Sequence, residues 1–134
     1  MQLLLNIDVA DIGLAETFYT RAFDLRVGRR LGADVLELLG GGAPIYLLCK
    51  PAGSIGAAEQ ARDYRRHWLP LHVDWVVDDL YAALEKALIA GAEQEGAVRK
   101  ANWGRIVQIA DPFGHGWCLL QFRGRGYDEL LDSP

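Results

Sequence analysis

Apolar and polar positions follow two periods in each half of the chain. Residues 2–9 alternate, which is typical of a strand with one face against a helix. The apolar set of that strand is Leu3, Leu5, Ile7 and Val9. From Asp11, a candidate N-cap, apolar residues then recur every three or four positions up to Phe23, which predicts an amphipathic helix. Strand-like runs separated by glycine-containing turns follow at 25–31, 34–39 and 44–50.

The second half repeats this order. Residues 70–77 alternate, with a second apolar set formed by Leu71, Val73, Trp75 and Val77. Asp78 or Asp79 caps the next predicted helix and Gly91 ends it. Further strands are predicted near 94–99, 103–110 and 115–122. Parity places Trp75 on the helix side of its strand, in the core.

The two halves align at their strand-to-helix junctions, where residues 9–12 match residues 77–80 with a constant offset. Such self-similarity indicates an internal repeat. We therefore predict one domain over 1–134, made of two β-α-β-β-β modules at 1–50 and 69–123. A connector at 51–68, with a short amphipathic helix over Ala57–Arg66, and a tail at 124–134 complete it.

The segment from Val107 to Phe122 is the most informative of the chain. Two strand-like runs flank Asp111-Pro112-Phe113-Gly114, in which the aspartate can accept backbone N–H groups, proline presets φ and glycine tolerates positive φ. This predicts a β-hairpin. Together with the strand and helix of residues 71–91 and the internal repeat, the turn resembles the vicinal oxygen chelate superfamily, which includes glyoxalases, bleomycin-resistance proteins and extradiol dioxygenases.

The resemblance implies an α+β fold in which the curled mixed sheets of the two modules form a cleft, with one helix packed outside each. It also implies a homodimer. Metal-dependent members bind a divalent ion at four inward positions, which correspond here to Leu4, Tyr46, His72 and Cys118. Leucine cannot bind a metal and tyrosine is a poor ligand. We therefore expect no cofactor and no catalytic metal; His72 and Cys118 are the candidate ligands if one is bound.

The polar residues of the two alternating strands lie on the face opposite the helices and form a candidate ligand site with aromatic residues nearby. The candidates are Asn6, Asp8, Tyr46, His72, Asp74, Trp103 and Cys118, with Val107 as a further apolar wall. His72 is the best catalytic candidate, because Asp74 or Asp8 could hold its tautomer. The same polar face could equally be a solvated sheet or a wet dimer contact.

Composition narrows the class of function. The net charge of −4 argues against a nucleic-acid partner, and no apolar run is long enough to cross a membrane. The first residues lack the features of a signal peptide, and two cysteines are too few for a disulfide framework, so a cytoplasmic location is expected. The leading hypothesis is a metal-free binder of a small organic molecule. The main alternative is a lyase, isomerase or dioxygenase that uses a metal or His72 with a carboxylate. A third hypothesis is a dimeric module whose cleft is vestigial or serves a protein partner.

Overall fold

The fold is described from a computed structural model, which describes residues 1–131. The last three residues of the predicted tail lie outside this range. The chain forms two compact units, one from Met1 to Arg65 and the other from Arg66 onward. Both contain one mixed four-stranded sheet and one α-helix, so the predicted α+β class is confirmed.

The first unit has the predicted β-α-β-β-β order. Its elements are β1 (Leu5–Val9), α1 (Ile12–Ala22), β2 (Arg26–Arg30), β3 (Val35–Leu39) and β4 (Ile45–Cys49). The strand order in the sheet is β1-β4-β3-β2, with β1 parallel to β4 and the other pairs antiparallel. A parallel pair needs a long crossover, which α1 and the β2–β3 hairpin provide.

The second unit repeats this topology. Its elements are β5 (Val73–Val76), α2 (Leu80–Ala90), β6 (Glu93–Ala101), β7 (Gly104–Ala110) and β8 (Gly116–Phe122), followed by a 3₁₀ segment at Gly126–Leu130. The strand order is β5-β8-β7-β6, with β5 parallel to β8. No helix within residues 1–131 is long and apolar enough to cross a membrane.

Both helices begin at the predicted aspartates. The Asp11 carboxylate accepts the backbone N–H of Leu14 at 2.9 Å, and the Asp79 carboxylate accepts that of Ala82 at 3.1 Å. These caps satisfy N–H groups that have no partner within the helix. Gly91 ends α2 in the left-handed region at φ 116°, as predicted.

Strand parity also holds where the strands are paired. Ile7 and Val9 are buried in the first unit, where α1 also buries Phe18 and Tyr19. In the second unit Trp75 is half-buried and stacks on buried Trp117, with 5.7 Å between ring centroids. Two residues of the predicted apolar sets are exceptions: Leu3 and Leu71 precede the first paired residues of β1 and β5 and are exposed.

The predicted Asp-Pro-Phe-Gly hairpin joins β7 to β8. One oxygen of Asp111 accepts the backbone N–H groups of Phe113 at 2.8 Å and His115 at 3.0 Å, and Gly114 adopts φ 86°. The other oxygen accepts the indole N–H of Trp117 at 3.0 Å. Asp111 and Trp117 are both buried, so their bond attaches the turn to the core and sets the position at which β8 begins.

The predicted connector helix over Ala57–Arg66 is wrong. Only Ala57–Glu59 forms a 3₁₀ turn, and both Ala58 and Glu59 have positive φ there. Ile55 pairs with Ala61 in an antiparallel bridge, which makes the segment a tight loop. Side-chain anchoring outweighs helix propensity here, because Arg62 bonds to Asp8 at 2.6 Å and to the carbonyl of Ile55 at 2.8 Å.

Candidate functional site

A cavity of about 480 Å³ lies in the second unit, on the face of its sheet that is not covered by α2. This volume is within the usual range for pockets that hold small organic ligands. Its lining residues are His72, Asp74, Arg99, Lys100, Ala101, Trp103, Ile106, Gln108, Cys118 and Tyr127. The cavity therefore brings together four predicted site residues: His72, Asp74, Trp103 and Cys118.

Strand register explains why the polar residues of this cavity meet. Cys118 of β8 pairs with Asp74 of β5 on one side and with Gln108 of β7 on the other. His72 is two positions before Asp74, so its side chain is on the same face. One ligand-type atom from each of His72, Asp74 and Cys118 lies within 4.8 Å of the other two.

Cys118 forms the closed end of this cluster, since it is buried whereas His72 and Asp74 are exposed. Burial, together with the charge of Asp74 and a hydrogen bond to it, raises the pKa of the Cys118 thiol to about 11. Arg99 acts in the opposite direction. The sulfur is therefore a neutral thiol near pH 7, which disfavours a thiolate nucleophile.

Apolar and aromatic groups form another part of the wall. Trp103 lies in the turn between β6 and β7, and its ring contacts that of Tyr127, with 5.4 Å between centroids. Tyr127 also makes an edge-to-face contact with Phe122 at 4.8 Å. The expectation for Val107 is wrong: Val107 is buried opposite Leu119, on the helix side, and its neighbour Ile106 lines the cavity instead.

Two cationic residues of β6, Arg99 and Lys100, are among the lining residues of the cavity. Arg99 pairs with Ile106, a lining residue, whereas the next residue, Lys100, pairs with Arg105. The Arg105 guanidinium lies 5.3 Å from the ring centroid of Tyr81 in α2, on the helix side of the sheet. Arg99 therefore shares the cavity face of the sheet with Ile106, whereas Lys100 borders the cavity but shares the register of Arg105 on the other face.

In the first unit, the corresponding face carries a different set of side chains. Glu37 is buried and pairs with Tyr46, and Tyr46 in turn pairs with Asn6. The Tyr46 hydroxyl donates to Glu37 at 2.7 Å, and Arg29 forms an ion pair with Glu37 at 2.7 Å. Hydrogen bonds from Arg29 and Tyr46 lower the pKa of Glu37 to about 2. The Tyr46 hydroxyl is therefore engaged within its own unit.

Asp8 is engaged in a similar way. Arg62 of the connector donates to its carboxylate at 2.6 Å, and both side chains are partly buried. Asn6 is exposed beside this pair. The three predicted site residues of the first unit thus lie on one face of its sheet, and their role in ligand binding stays a prediction.

The residues at the four metal positions implied by the resemblance do not fit a metal. Leu4 offers no donor atom, Tyr46 is held by Glu37 and Arg29, and Cys118 is a neutral thiol. Only His72 is of the ligand type typical of the metal-dependent members. The cluster of His72, Asp74 and Cys118 is compact enough to consider by itself, but binding there would require deprotonation of a thiol whose pKa is raised.

Sequence reasoning missed several lining residues for physical reasons. Gln108 could have been found from strand alternation, because it lies between the apolar residues Val107 and Ile109. Arg99 could not, because residues 93–100 do not alternate and the strand register shifts between Glu95 and Arg99. Tyr127 left no such signal. It reaches the cavity because the tail folds back in a 3₁₀ segment against Phe122 and Trp103, a long-range contact.

Relatives and solved structures agree with the fold. An uncharacterized protein of Mycobacterium bovis is 30% identical over 118 residues, covering 84% of this chain and 78% of that protein. The fosfomycin resistance protein FosX of Listeria monocytogenes superposes with a TM-score of 0.69 at 16% identity, covering 92% of this chain and 93% of that one.

A glyoxalase/bleomycin resistance protein/dioxygenase family enzyme of Burkholderia phytofirmans superposes with a TM-score of 0.68 at 15% identity, covering 90% of this chain and 97% of that one. At these identities the structural matches establish the fold alone. The sequence profile of the family described as "Glyoxalase-like domain" matches residues 5–120. The chain therefore belongs to the glyoxalase-like domain family, within the vicinal oxygen chelate superfamily.

Proposed function

We propose that the protein binds a small organic molecule in the cavity of its second unit and that it does so without a catalytic metal. The observation that carries the proposal is the composition of that cavity. About 480 Å³ of space is bounded by an apolar and aromatic wall and a few polar anchors. This combination is typical of small-molecule sites, where apolar contact supplies affinity and a few polar groups fix orientation.

Each part of the wall has a separate role in this proposal. Trp103, Tyr127 and Ile106 offer flat and apolar contact area. His72, Asp74 and Gln108 offer hydrogen-bonding groups on the sheet floor. Cys118 is small, so it leaves room at the centre of the floor, where the corresponding position of the first unit holds Tyr46.

The direct test is a screen of small organic molecules by two-dimensional amide NMR. Ligands are expected to shift resonances of the lining residues, above all the Trp103 indole N–H, and to lose affinity in Trp103→Ala. Trp68→Ala is the matched control, because Trp68 is exposed and does not line the cavity. A screen in which no compound shifts the lining residues, or in which both variants bind equally, would contradict the proposal.

Metal independence is tested separately. The protein purified without chelator should hold no stoichiometric Mn, Fe, Ni or Zn by elemental analysis, because the donor set lacks at least two usable ligands. One equivalent of metal per chain that is lost in His72→Ala but kept in His67→Ala would refute this. His72→Ala should cost little stability, since His72 is exposed, but it should alter ligand binding.

The alternative is an enzyme of the lyase, isomerase or dioxygenase type, and one observation favours it. His72 is within 4.8 Å of the Asp74 carboxylate, as a general base oriented by an acid would be. In that case His72 would accept a proton from the bound molecule and Asp74 would hold its tautomer. Asp74→Asn should then abolish turnover with little loss of affinity, whereas for a binder only affinity would change.

We further propose that the protein is a homodimer and that it acts in the cytoplasm. The family resemblance supports the dimer. The edge strands of the two sheets support it as well, because their outer backbone N–H and C=O groups must bond to a partner chain or to solvent. Sedimentation velocity at micromolar concentration tests it, and a monomer mass would be the contrary result.

A further inference from the structure

We propose that the ligand of the second-unit cavity is an organic anion with a flat apolar body, whose acidic group is held by Arg99. This inference rests on the proposed function, because it specifies the class of molecule that the same cavity takes.

Arg99 gives the cavity a positive charge that no carboxylate of the described residues compensates. Within residues 1–131, no carboxylate forms an ion pair with Arg99, although the guanidinium is near enough to Cys118 to lower the pKa of its thiol. Arginine is the side chain best suited to bind carboxylates and phosphates, because its planar donors can bond to two oxygens at once. A cavity that presents an unpaired arginine therefore favours an acid.

The nearby carboxylate on β6 is already bound to another arginine. Glu95 of β6 lies opposite Gln108, on the same face as Arg99, and would be the natural partner for a cation there. It is already held by Arg66 through two bonds of 2.9 and 2.8 Å. Arg66 can lie there because Gly116 has no side chain: a Cβ at that position would be 2.5 Å from Nη2 of Arg66.

Asp74 is the carboxylate of the cavity wall. It accepts a hydrogen bond from the Cys118 thiol and lies beside His72. These three groups cluster where β5 pairs with β8, whereas Arg99 is at the other edge of the sheet on β6. An acid bound at Arg99 would therefore place its body against Ile106, Trp103 and Tyr127, and a hydroxyl or amine of the ligand could donate to Asp74.

The test uses a matched pair of probes, 2-naphthoate and 2-naphthamide, which share their rings and differ in charge. Affinity is measured from the shift of the Trp103 indole N–H. We expect the naphthoate to bind at least about tenfold more tightly than the amide, as bonds between charged groups imply. Arg99→Gln should remove this difference, and Arg99→Lys should restore part of it.

Arg105→Gln is the control, since it removes the same charge from the opposite face of the same sheet. It should leave the preference for the acid intact; equal loss in both variants would indicate a general charge effect and refute the role of Arg99. Equal binding of both probes to the unmodified protein would overturn the anion inference alone. Failure of both probes to shift the lining residues, while another compound of the screen does so, would also overturn the inferred ligand class and leave the binding function intact. The binding function fails only if no compound of the screen shifts them.

Discussion

Replacing Asp111 by Asn tests whether the Asp-Pro-Phe-Gly turn is held by its buried carboxylate or by its backbone alone. The carboxylate accepts bonds from the backbone N–H groups of Phe113 and His115 and from the indole of Trp117. An asparagine keeps the first two through its amide oxygen. Its NH₂ group then faces the indole N–H, so two donors meet where a donor and an acceptor met.

The expected cost follows from this mismatch. A hydrogen bond to a charged acceptor contributes roughly 1.5–3 kcal/mol, and a buried donor without an acceptor costs about 1–3 kcal/mol. These two contributions overlap, so Asp111→Asn should lower the free energy of unfolding by about 2–4 kcal/mol. Chemical denaturation followed by tryptophan fluorescence measures it. Asp34→Asn, the same change in an exposed turn, should be nearly neutral.

A double-mutant cycle isolates the cause. Trp117→Phe removes the indole N–H, so the cost of Asp111→Asn should fall in that background by about the value of the lost mismatch, roughly 1–3 kcal/mol. An unchanged cost in both backgrounds would show that the indole bond is not the reason. A neutral Asp111→Asn would refute the whole account, because the turn would then depend on proline and glycine alone.

Three further predictions concern other parts of the chain. Gly104→Ala should lower the free energy of unfolding by more than about 1 kcal/mol, because Gly104 has φ 153° and a Cβ there would clash with the Gln121 carbonyl oxygen. Gly96→Ala, at φ 85° with no atom within 4 Å, should cost less, and equal costs in denaturation would exclude the steric reason. Cys118 should react slowly with iodoacetamide at pH 8 and faster as pH approaches its raised pKa of about 11; mass spectrometry of the labelled peptide checks this, and rapid labelling at pH 7 would contradict it. The folded-state pKa of Glu37 is lowered from 4.5 to about 2, so its contribution to stability is present above pH 4.5 and is lost as the pH falls toward 2. The free energy of unfolding should therefore fall less between pH 4.5 and pH 2 in Glu37→Gln than in the unmodified protein. Denaturation followed by circular dichroism measures this.

The sequence by itself determined the elements and their order. Three kinds of local signal predicted the elements: alternation in two strands, apolar residues every three or four positions in two helices, and an aspartate cap at the start of each helix. Each signal appears in the structure where it was expected. The Asp-Pro-Phe-Gly turn was readable for the same reason, since its backbone bonds join residues at most four positions apart. The constant offset between residues 9–12 and residues 77–80 then predicted that the second half repeats the topology of the first.

Only the tertiary structure decided which polar residues share a cavity. Strand register joins Asp74 to Cys118 across more than forty positions, and no local pattern encodes that pairing. The tail brings Tyr127 to Trp103, and the connector brings Arg62 to Asp8 in place of the helix that its composition favoured. These contacts join residues that are far apart in the sequence. Only the folded structure therefore shows that Glu95 is bound to Arg66 and that Arg99 has no carboxylate partner among the described residues.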